Sequence, residues 1–146
     1  MCDRPLIAPL PKHLSYGDEI ILKGKVRDDA TEISFNFVLD SCPQPSMIAY
    51  HFKTKFKENV VVHNTKQCTW LEEKPEENTW IDKPGEEFIL TFYFDDSEIL
   101  IYTGDDMRDL QYRYDHVLAY DEIKSVQVWG DVEYITEVTF RYRPDV

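Results

Sequence analysis

The stretch from Glu86 to Asp96, EEFILTFYFDD, alternates between two kinds of side chain with a period of two. One set is Phe88, Leu90, Phe92 and Phe94, and the set between them is Glu87, Ile89, Thr91 and Tyr93. Successive side chains of a β-strand point to opposite faces of the sheet. The stretch therefore predicts a strand with one face on a hydrophobic core.

The same alternation recurs along most of the chain. It appears in YGDEIILKGKV (16–26), EISFNFVLD (32–40), SEILIYTGDD (97–106) and IKSVQVWGDVEYITEVTFRYRP (123–144). Turn signals such as Gly17–Asp18, Pro84–Gly85 and Gly104–Asp105 separate these runs at intervals of roughly ten residues. No segment has a convincing amphipathic helical pattern. The sequence predicts an all-β sandwich or barrel.

The length and composition fit one folded domain. The chain has 146 residues, of which 42% are hydrophobic, enough to form a core. Residues 1–12 are rich in proline and are expected to form an extended N-terminal leader, while residues 13–146 form a single domain. No repeat or linker divides the chain further.

The net charge of −12, from 28 acidic and 16 basic residues, argues against two classes of partner. Nucleic acids and anionic membranes both attract proteins through excess positive charge, so we expect neither as a partner. No run of 18 uncharged apolar residues occurs that could insert into a membrane.

The cysteines and histidines point to no cofactor. The three cysteines, Cys2, Cys42 and Cys68, have no paired spacing, and the four histidines lack the spacing of metal ligands. We expect free thiols, no cofactor and no metal. The N-terminus lacks the features of a secretory signal, which favours a cytoplasmic protein. Export without a signal peptide stays open.

A second stretch, AYHFKTKFKENVVVHNTKQCTWLEEKP (49–75), carries the candidate site. Alternation puts Tyr50 and Phe52 on a core face, and the opposite face carries His51, Lys53 and Lys55. Farther along, Val62 and Asn64 share a face, with His63 opposite, which is expected to be an interior or turn histidine and not a ligand contact. If these two runs are neighbouring strands, His51 and Asn64 lie within a few ångströms of each other.

Two interpretations fit this polar row. It is either the solvated face of an ordinary strand, or a groove completed by Trp70, Glu73 and Lys74. A sugar offers hydroxyls that donate and accept, together with a weakly apolar C–H face. An imidazole, an amide, a carboxylate and an aromatic ring would match those groups.

The order of these residues resembles that of the galectins, the β-galactoside-binding lectins. His51, Val62–x–Asn64 and Trp70–x–x–Glu73 match the family's binding motif, and the surrounding strand segments are similar from about residue 10 to about residue 140. The resemblance implies a jelly-roll sandwich of two antiparallel sheets, the concanavalin-type lectin architecture. It also implies a galactose-containing glycan as the partner: His51 and Asn64 would bond its hydroxyls, Trp70 would stack on it, and Glu73 would accept a bond.

Three positions depart from the family motif. Lys53 replaces an asparagine, Lys55 an arginine, and Pro75 a second arginine, although Lys74 beside it is expected to reach part of that space. Lysine cannot reproduce the planar, two-pronged donation of arginine, so we predict weakened or altered galactose binding. Lys53 and Lys55 also suggest an anionic glycan, unless Glu72, Glu73 and Glu76 pair with the lysines and close the groove.

The sequence also bears on function classes other than a lectin. Glu72 and Glu73 are neighbours and would point to opposite faces of a strand, so they cannot flank one glycosidic bond; no other catalytic motif occurs, and we predict a non-enzyme. The alternatives are a galectin-like protein-interaction module without sugar binding, and a densely packed structural β-sandwich of the lens type. Association of exposed end strands would give a symmetric homodimer.

Overall fold

The computed structural model describes residues 5–39 and 45–144, and these form a sandwich of two antiparallel sheets. The strands are β1 Leu6–Pro9, β2 Glu19–Val26, β3 Glu32–Val38, β4 Met47–Lys55, β5 Val60–Gln67, β6 Thr69–Trp70, β7 Lys74–Glu77, β8 Glu87–Phe94, β9 Glu98–Thr103, β10 Asp109–Asp115, β11 Ser125–Gly130 and β12 Val132–Arg141. Short 3₁₀ helices cover Asp105–Met107 and Tyr120–Glu122. No helix in the described ranges is long and apolar enough to cross a membrane. The all-β prediction is confirmed.

The strands are shared between the sheets in a fixed order. The first sheet runs β1-β11-β3-β4-β5-β6, and β7 also pairs with β5, beyond the point where β6 ends. The second sheet runs β10-β9-β8-β2-β12. Residues 6–9, which we expected in an extended leader, form β1 and pair with β11. Part of the expected leader is thus an integral strand of the first sheet.

The core lies between the sheets and is rich in aromatic side chains. Phe88, Leu90, Phe92 and Phe94 of β8 are buried, as the alternation in the opening stretch predicts. The opposing residues of the first sheet include Phe35, Phe37, Tyr50 and Phe52, all fully buried. Phe37 and Phe92 meet edge to face with ring centroids 4.7 Å apart, within the favourable range for aromatic pairs. This packing fixes which face of the first sheet turns outward.

A tight corner between β11 and β12 sets the position of β3. Gly130 has φ of 96°, and a Cβ there would lie 2.5 Å from the Glu32 carbonyl oxygen, so the position requires glycine. The Asp131 carboxylate then accepts hydrogen bonds from the backbone N–H groups of Thr31 and Glu32 at 2.9 and 3.2 Å. The corner thereby anchors the start of β3 beside β11.

Candidate functional site

The outward face of the first sheet carries the predicted site. Directly opposite residues of antiparallel strands share a face. One row across the sheet is Gln127, Asn36, His51 and Asn64, and the next is Trp129, Ser34, Lys53, Val62 and Pro75. We call this surface the groove face. The expected adjacency of His51 and Asn64 is confirmed, because they are Cα partners on β4 and β5.

Trp70 lies against His51 at one end of this row. Their ring centroids are 4.6 Å apart, with the ring planes tilted by 55°. This is the short end of the range for rings in contact, so the two rings touch. The Trp70 side chain remains 46% exposed, and the Lys66 ammonium lies 5.4 Å from its centroid. Imidazole and indole thus form one continuous surface.

Asn64 is held by the segment that follows Trp70. Its Nδ2 donates to the carbonyl oxygen of Leu71 at 3.0 Å, and its Oδ1 accepts from the backbone N–H of Thr65 at 2.8 Å. The Leu71 N–H in turn donates to the Thr65 carbonyl oxygen at 3.0 Å. These bonds tie the Trp70–Leu71 turn to β5 and use one of the two amide protons of Asn64, which is buried at 3% exposure.

The His51 ring is neutral at physiological pH. Burial, with the nearby charges of Lys53 and His63, lowers the pKa of His51 to about 4. Its Nδ1 lies 2.5 Å from Oδ1 of Asn36, a buried residue of β3. The alternation in EISFNFVLD puts Asn36 on the face opposite Phe35 and Phe37, but only the strand register shows that it adjoins His51.

The lysines do not pair with the predicted glutamates. Lys53 Nζ lies 3.2 Å from Oε1 of Glu32 on β3, not beside Glu72, Glu73 or Glu76, the partners that the sequence offered as an alternative to an anionic glycan. Glu32 is the Cα partner of Lys55, so it can reach diagonally to Lys53. Lys55 has no carboxylate within 4 Å among the described residues. The alternative in which Glu72, Glu73 and Glu76 pair with these lysines and close the groove is not observed among the described residues.

The remaining predicted residues divide between the two faces. Val62 lies buried on the groove face with Pro75 as its Cα partner, and Glu73 is exposed at the turn before β7. Lys74 is the Cα partner of His63, which points into the core, and its ammonium lies 5.6 Å from the Tyr114 ring centroid. Lys74 therefore leaves β7 on the side away from the groove face, and the prediction that it substitutes for the missing arginine is wrong.

His63 is an interior residue, as expected, and it belongs to a buried cluster behind the groove. Its Nδ1 lies 2.7 Å from the Tyr50 hydroxyl, and its ring stacks on Tyr114 at 5.9 Å. Nε2 lies 2.9 Å from Oε1 of Glu76 but outside hydrogen-bond geometry. Burial, with the charge of Lys74, lowers the pKa of His63 to about 4. This cluster supports β5 from its core side.

The described residues contain no group of three or more His, Cys, Asp or Glu side chains that could hold a metal ion. What the groove face offers is a neutral imidazole, the second amide proton of Asn64, an exposed indole and lysine ammonium groups. Such a set can bind a polar, uncharged or anionic ligand with an apolar face.

Comparisons with known proteins agree with the observed fold. The sequence profile described as galactoside-binding lectin matches residues 5–140. The structure is similar to sheep galectin-11, solved as a complex with glycerol, with a TM-score of 0.79 and 20% sequence identity over 96% of this chain and 99% of that one. A search of curated protein sequences returns no match.

Proposed function

The chain belongs to the galactoside-binding lectin family, and from this we propose that its groove face binds galactose-containing glycans with an affinity or specificity altered from that of ordinary galectins. One observation carries the proposal: His51, Asn64 and Trp70 lie together on one face of the first sheet. Lectins bind a sugar without transforming it, and we assign no catalytic role to any residue.

Each side chain would have a separate role toward the sugar. The free nitrogen of His51 and the remaining amide proton of Asn64 would bond hydroxyl groups. The exposed indole of Trp70 would stack on the C–H face of the galactose ring. Glu73, exposed just before β7, would accept a further hydroxyl bond.

The altered positions support weaker binding of neutral galactosides. Pro75 occupies the groove face beside Val62 and offers no donor. Lys53 is engaged by Glu32 at 3.2 Å, so a ligand must compete with that ion pair. Each charge-assisted hydrogen bond that is missing reduces binding by about 1–3 kcal/mol. The binding free energy lost through several missing bonds of this kind is large for a small sugar, so we expect a large drop in its affinity.

The contact between Trp70 and His51 also works against binding. With ring centroids 4.6 Å apart, no sugar ring fits between imidazole and indole. A galactose that stacks on the inner face of Trp70 must therefore first displace the indole. The Asn64–Leu71 bond holds the turn in its present place and opposes that movement.

Calorimetric titration with lactose tests the proposal. We expect weak binding that is lost in His51→Ala, with Lys74→Ala as a matched control because Lys74 lies off the groove face. Ordinary submillimolar affinity in the wild type would refute the proposed weakening. Measurable binding that survives His51→Ala unchanged would refute the assigned site.

A second candidate function is a protein-interaction module with the same fold and no sugar binding. The closed contact of Trp70 with His51 and the engagement of the Asn64 amide by Leu71 favour it. Retention on lactose and asialofetuin columns separates the two candidates. A lectin is retained and eluted by free lactose, whereas the interaction module passes through both columns.

An anionic galactoside is a further possibility for the ligand. Lys55 supports it, because its ammonium lies on the outward face of β4 without a carboxylate partner in the described part of the chain. A sulfate or carboxylate on the glycan would supply that partner. On a glycan array, anionic galactosides should give stronger signals than neutral ones, and Lys55→Gln should remove the difference. Equal signals in the wild type would end this hypothesis.

We also propose a symmetric homodimer. Strands β1 and β12 end the two sheets and carry exposed apolar residues, Leu6 and Tyr134. Light scattering during size-exclusion chromatography should give twice the monomer mass, and a monomer at high concentration would contradict the dimer. Cytosolic synthesis is supported by Cys68, whose exposed thiol forms no disulfide within residues 5–39 and 45–144; Cys2 and Cys42 lie outside these ranges. Cell fractionation tests it and shows whether the chain is also exported.

A further inference from the structure

The contact between His51 and Asn36 determines which nitrogen of the imidazole carries the proton. Nδ1 of His51 lies 2.5 Å from Oδ1 of Asn36. An amide oxygen can only accept, so Nδ1 must donate, and a neutral imidazole has a single N–H. The other nitrogen, Nε2, then carries a lone pair. It has no hydrogen-bond partner among the described residues.

The sheet holds the two residues in this relation. Asn36 and His51 are direct Cα partners on β3 and β4, and Asn64 continues the same row on β5. Asn36 is 6% exposed, so its amide cannot turn freely into solvent. Trp70 packs on the His51 ring from the other side. The ring is thus restrained by Asn36 at Nδ1 and by Trp70 on its surface.

We propose that Asn36 is a positioning residue of the sugar site, which holds His51 as the Nδ1–H tautomer and presents Nε2 to the ligand as a hydrogen-bond acceptor. The consequence concerns specificity: at this position the groove accepts a proton from a ligand hydroxyl and gives none. A ligand group that can only accept, such as an ether oxygen or a sulfate, is then disfavoured opposite His51. The inference about the ligand rests on the proposed lectin function.

The tautomer can be measured without any ligand. Protein labelled with ¹⁵N in histidine is studied by long-range ¹H–¹⁵N correlation at neutral pH, with His51→Gln used to assign the His51 signals. We expect a protonated Nδ1 and an unprotonated Nε2 in the wild type. Asn36→Leu keeps a similar volume and removes the acceptor, so the Nε2–H tautomer should become populated. Asn36→Asp keeps an acceptor and should keep Nδ1 protonated.

A matched control lies on the same strand and the same face. Ser34→Ala changes a buried residue two positions from Asn36, beside Lys53 rather than His51, and should leave the tautomer unchanged. If Asn36→Leu fails to fold, Asn36→Ala tests the same point with a shorter side chain that also lacks an acceptor. An unchanged Nδ1–H tautomer in the folded Asn36→Leu or Asn36→Ala protein would overturn the proposal, as would an Nε2–H tautomer in the wild type.

Lactose affinity gives an independent second measurement. Asn36→Leu should weaken binding about tenfold, the loss of roughly one hydrogen bond, and Asn36→Asp should restore most of it at neutral pH. The carboxylate of Asn36→Asp should also raise the pKa of His51, so that binding by this variant weakens at mildly acidic pH where the wild type is unaffected. If the wild type binds no lactose, the proposed function fails while the tautomer series still decides the role of Asn36.

Discussion

Restoring two arginines to the groove should strengthen galactoside binding, and the structure sets the size of the gain. Lys55→Arg and Pro75→Arg place guanidinium groups at two positions on the groove face of β4 and β7. Lys55 has no competing carboxylate among the described residues, and Pro75 presents no donor. Each new bidentate contact should contribute about 1.4 kcal/mol, near the lower end for charge-assisted bonds and equivalent to about tenfold in affinity.

The two gains should be nearly additive. Lys55 and Pro75 lie on strands that flank β5 and are offset along it, since they pair with Val60 and Val62 respectively. Side chains separated by two strand spacings, about 10 Å, interact little with each other. The double variant should therefore bind lactose about a hundredfold more tightly than the wild type.

Calorimetric titration of the wild type, both single variants and the double variant checks this prediction. Lys74→Arg is the matched control, because it adds an arginine to β7 on the opposite face and should leave the affinity unchanged. Urea unfolding verifies that every variant is folded. A folded double variant whose lactose affinity stays within about twofold of the wild type would refute the reasoning, since about 0.4 kcal/mol is below any charge-assisted bond.

Three further predictions concern the aromatic and histidine residues around the site. Lactose should shift the fluorescence of the half-exposed Trp70, so Trp70→Phe should abolish the change and Trp129→Phe should retain it; the reverse would place the sugar elsewhere. The protonation of His63 should lower the free energy of unfolding by up to about 3 kcal/mol between about pH 6.5 and pH 4, because burial lowers its pKa to about 4 and the unfolded chain takes up the proton first; His51, whose pKa is also lowered to about 4, adds a change of the same sign. In His63→Gln, which keeps Glu76 and Lys74, the free energy of unfolding measured by chemical denaturation should change less steeply with pH. An unchanged slope would contradict the assignment of this pH dependence to His63. Tyr50→Phe removes the hydroxyl 2.7 Å from His63 Nδ1 and should destabilise the protein by about 1–3 kcal/mol in the same assay; no loss would show that this bond contributes little.

The fold followed from the sequence because alternation is a local property of a strand. Alternation alone predicts that Phe88, Leu90, Phe92 and Phe94 face the core, whichever strands lie beside them. The same holds for Tyr50 and Phe52. The adjacency of His51 and Asn64 needed only the assumption that their strands pair. These predictions depend on residues close together in the chain.

The partner of Lys53 and the face on which Lys74 lies depend on strand register and on a break between strands. Lys53 pairs with Glu32, which lies 21 positions away in the numbering and adjoins it only through the β3–β4 register. Lys74 turns away from the groove because β7 pairs with β5 anew after the Trp70–Leu71 turn, with Lys74 opposite the interior residue His63. Alternation cannot be counted across such a turn, so the face of Lys74 is not determined by its distance from Trp70 in sequence.

Pro75 affects the sheet as well as the ligand. Strand β7 pairs with β5 on one side and with no other described strand on its other side, and all its side chains are exposed. An unpaired strand edge is a template for aggregation, and a proline there removes one backbone donor that another chain could use. Arginine at this position would return that N–H along with the guanidinium. A variant that binds galactose better should accordingly also be more prone to associate edge to edge, so that ligand affinity and colloidal stability are opposed at a single residue.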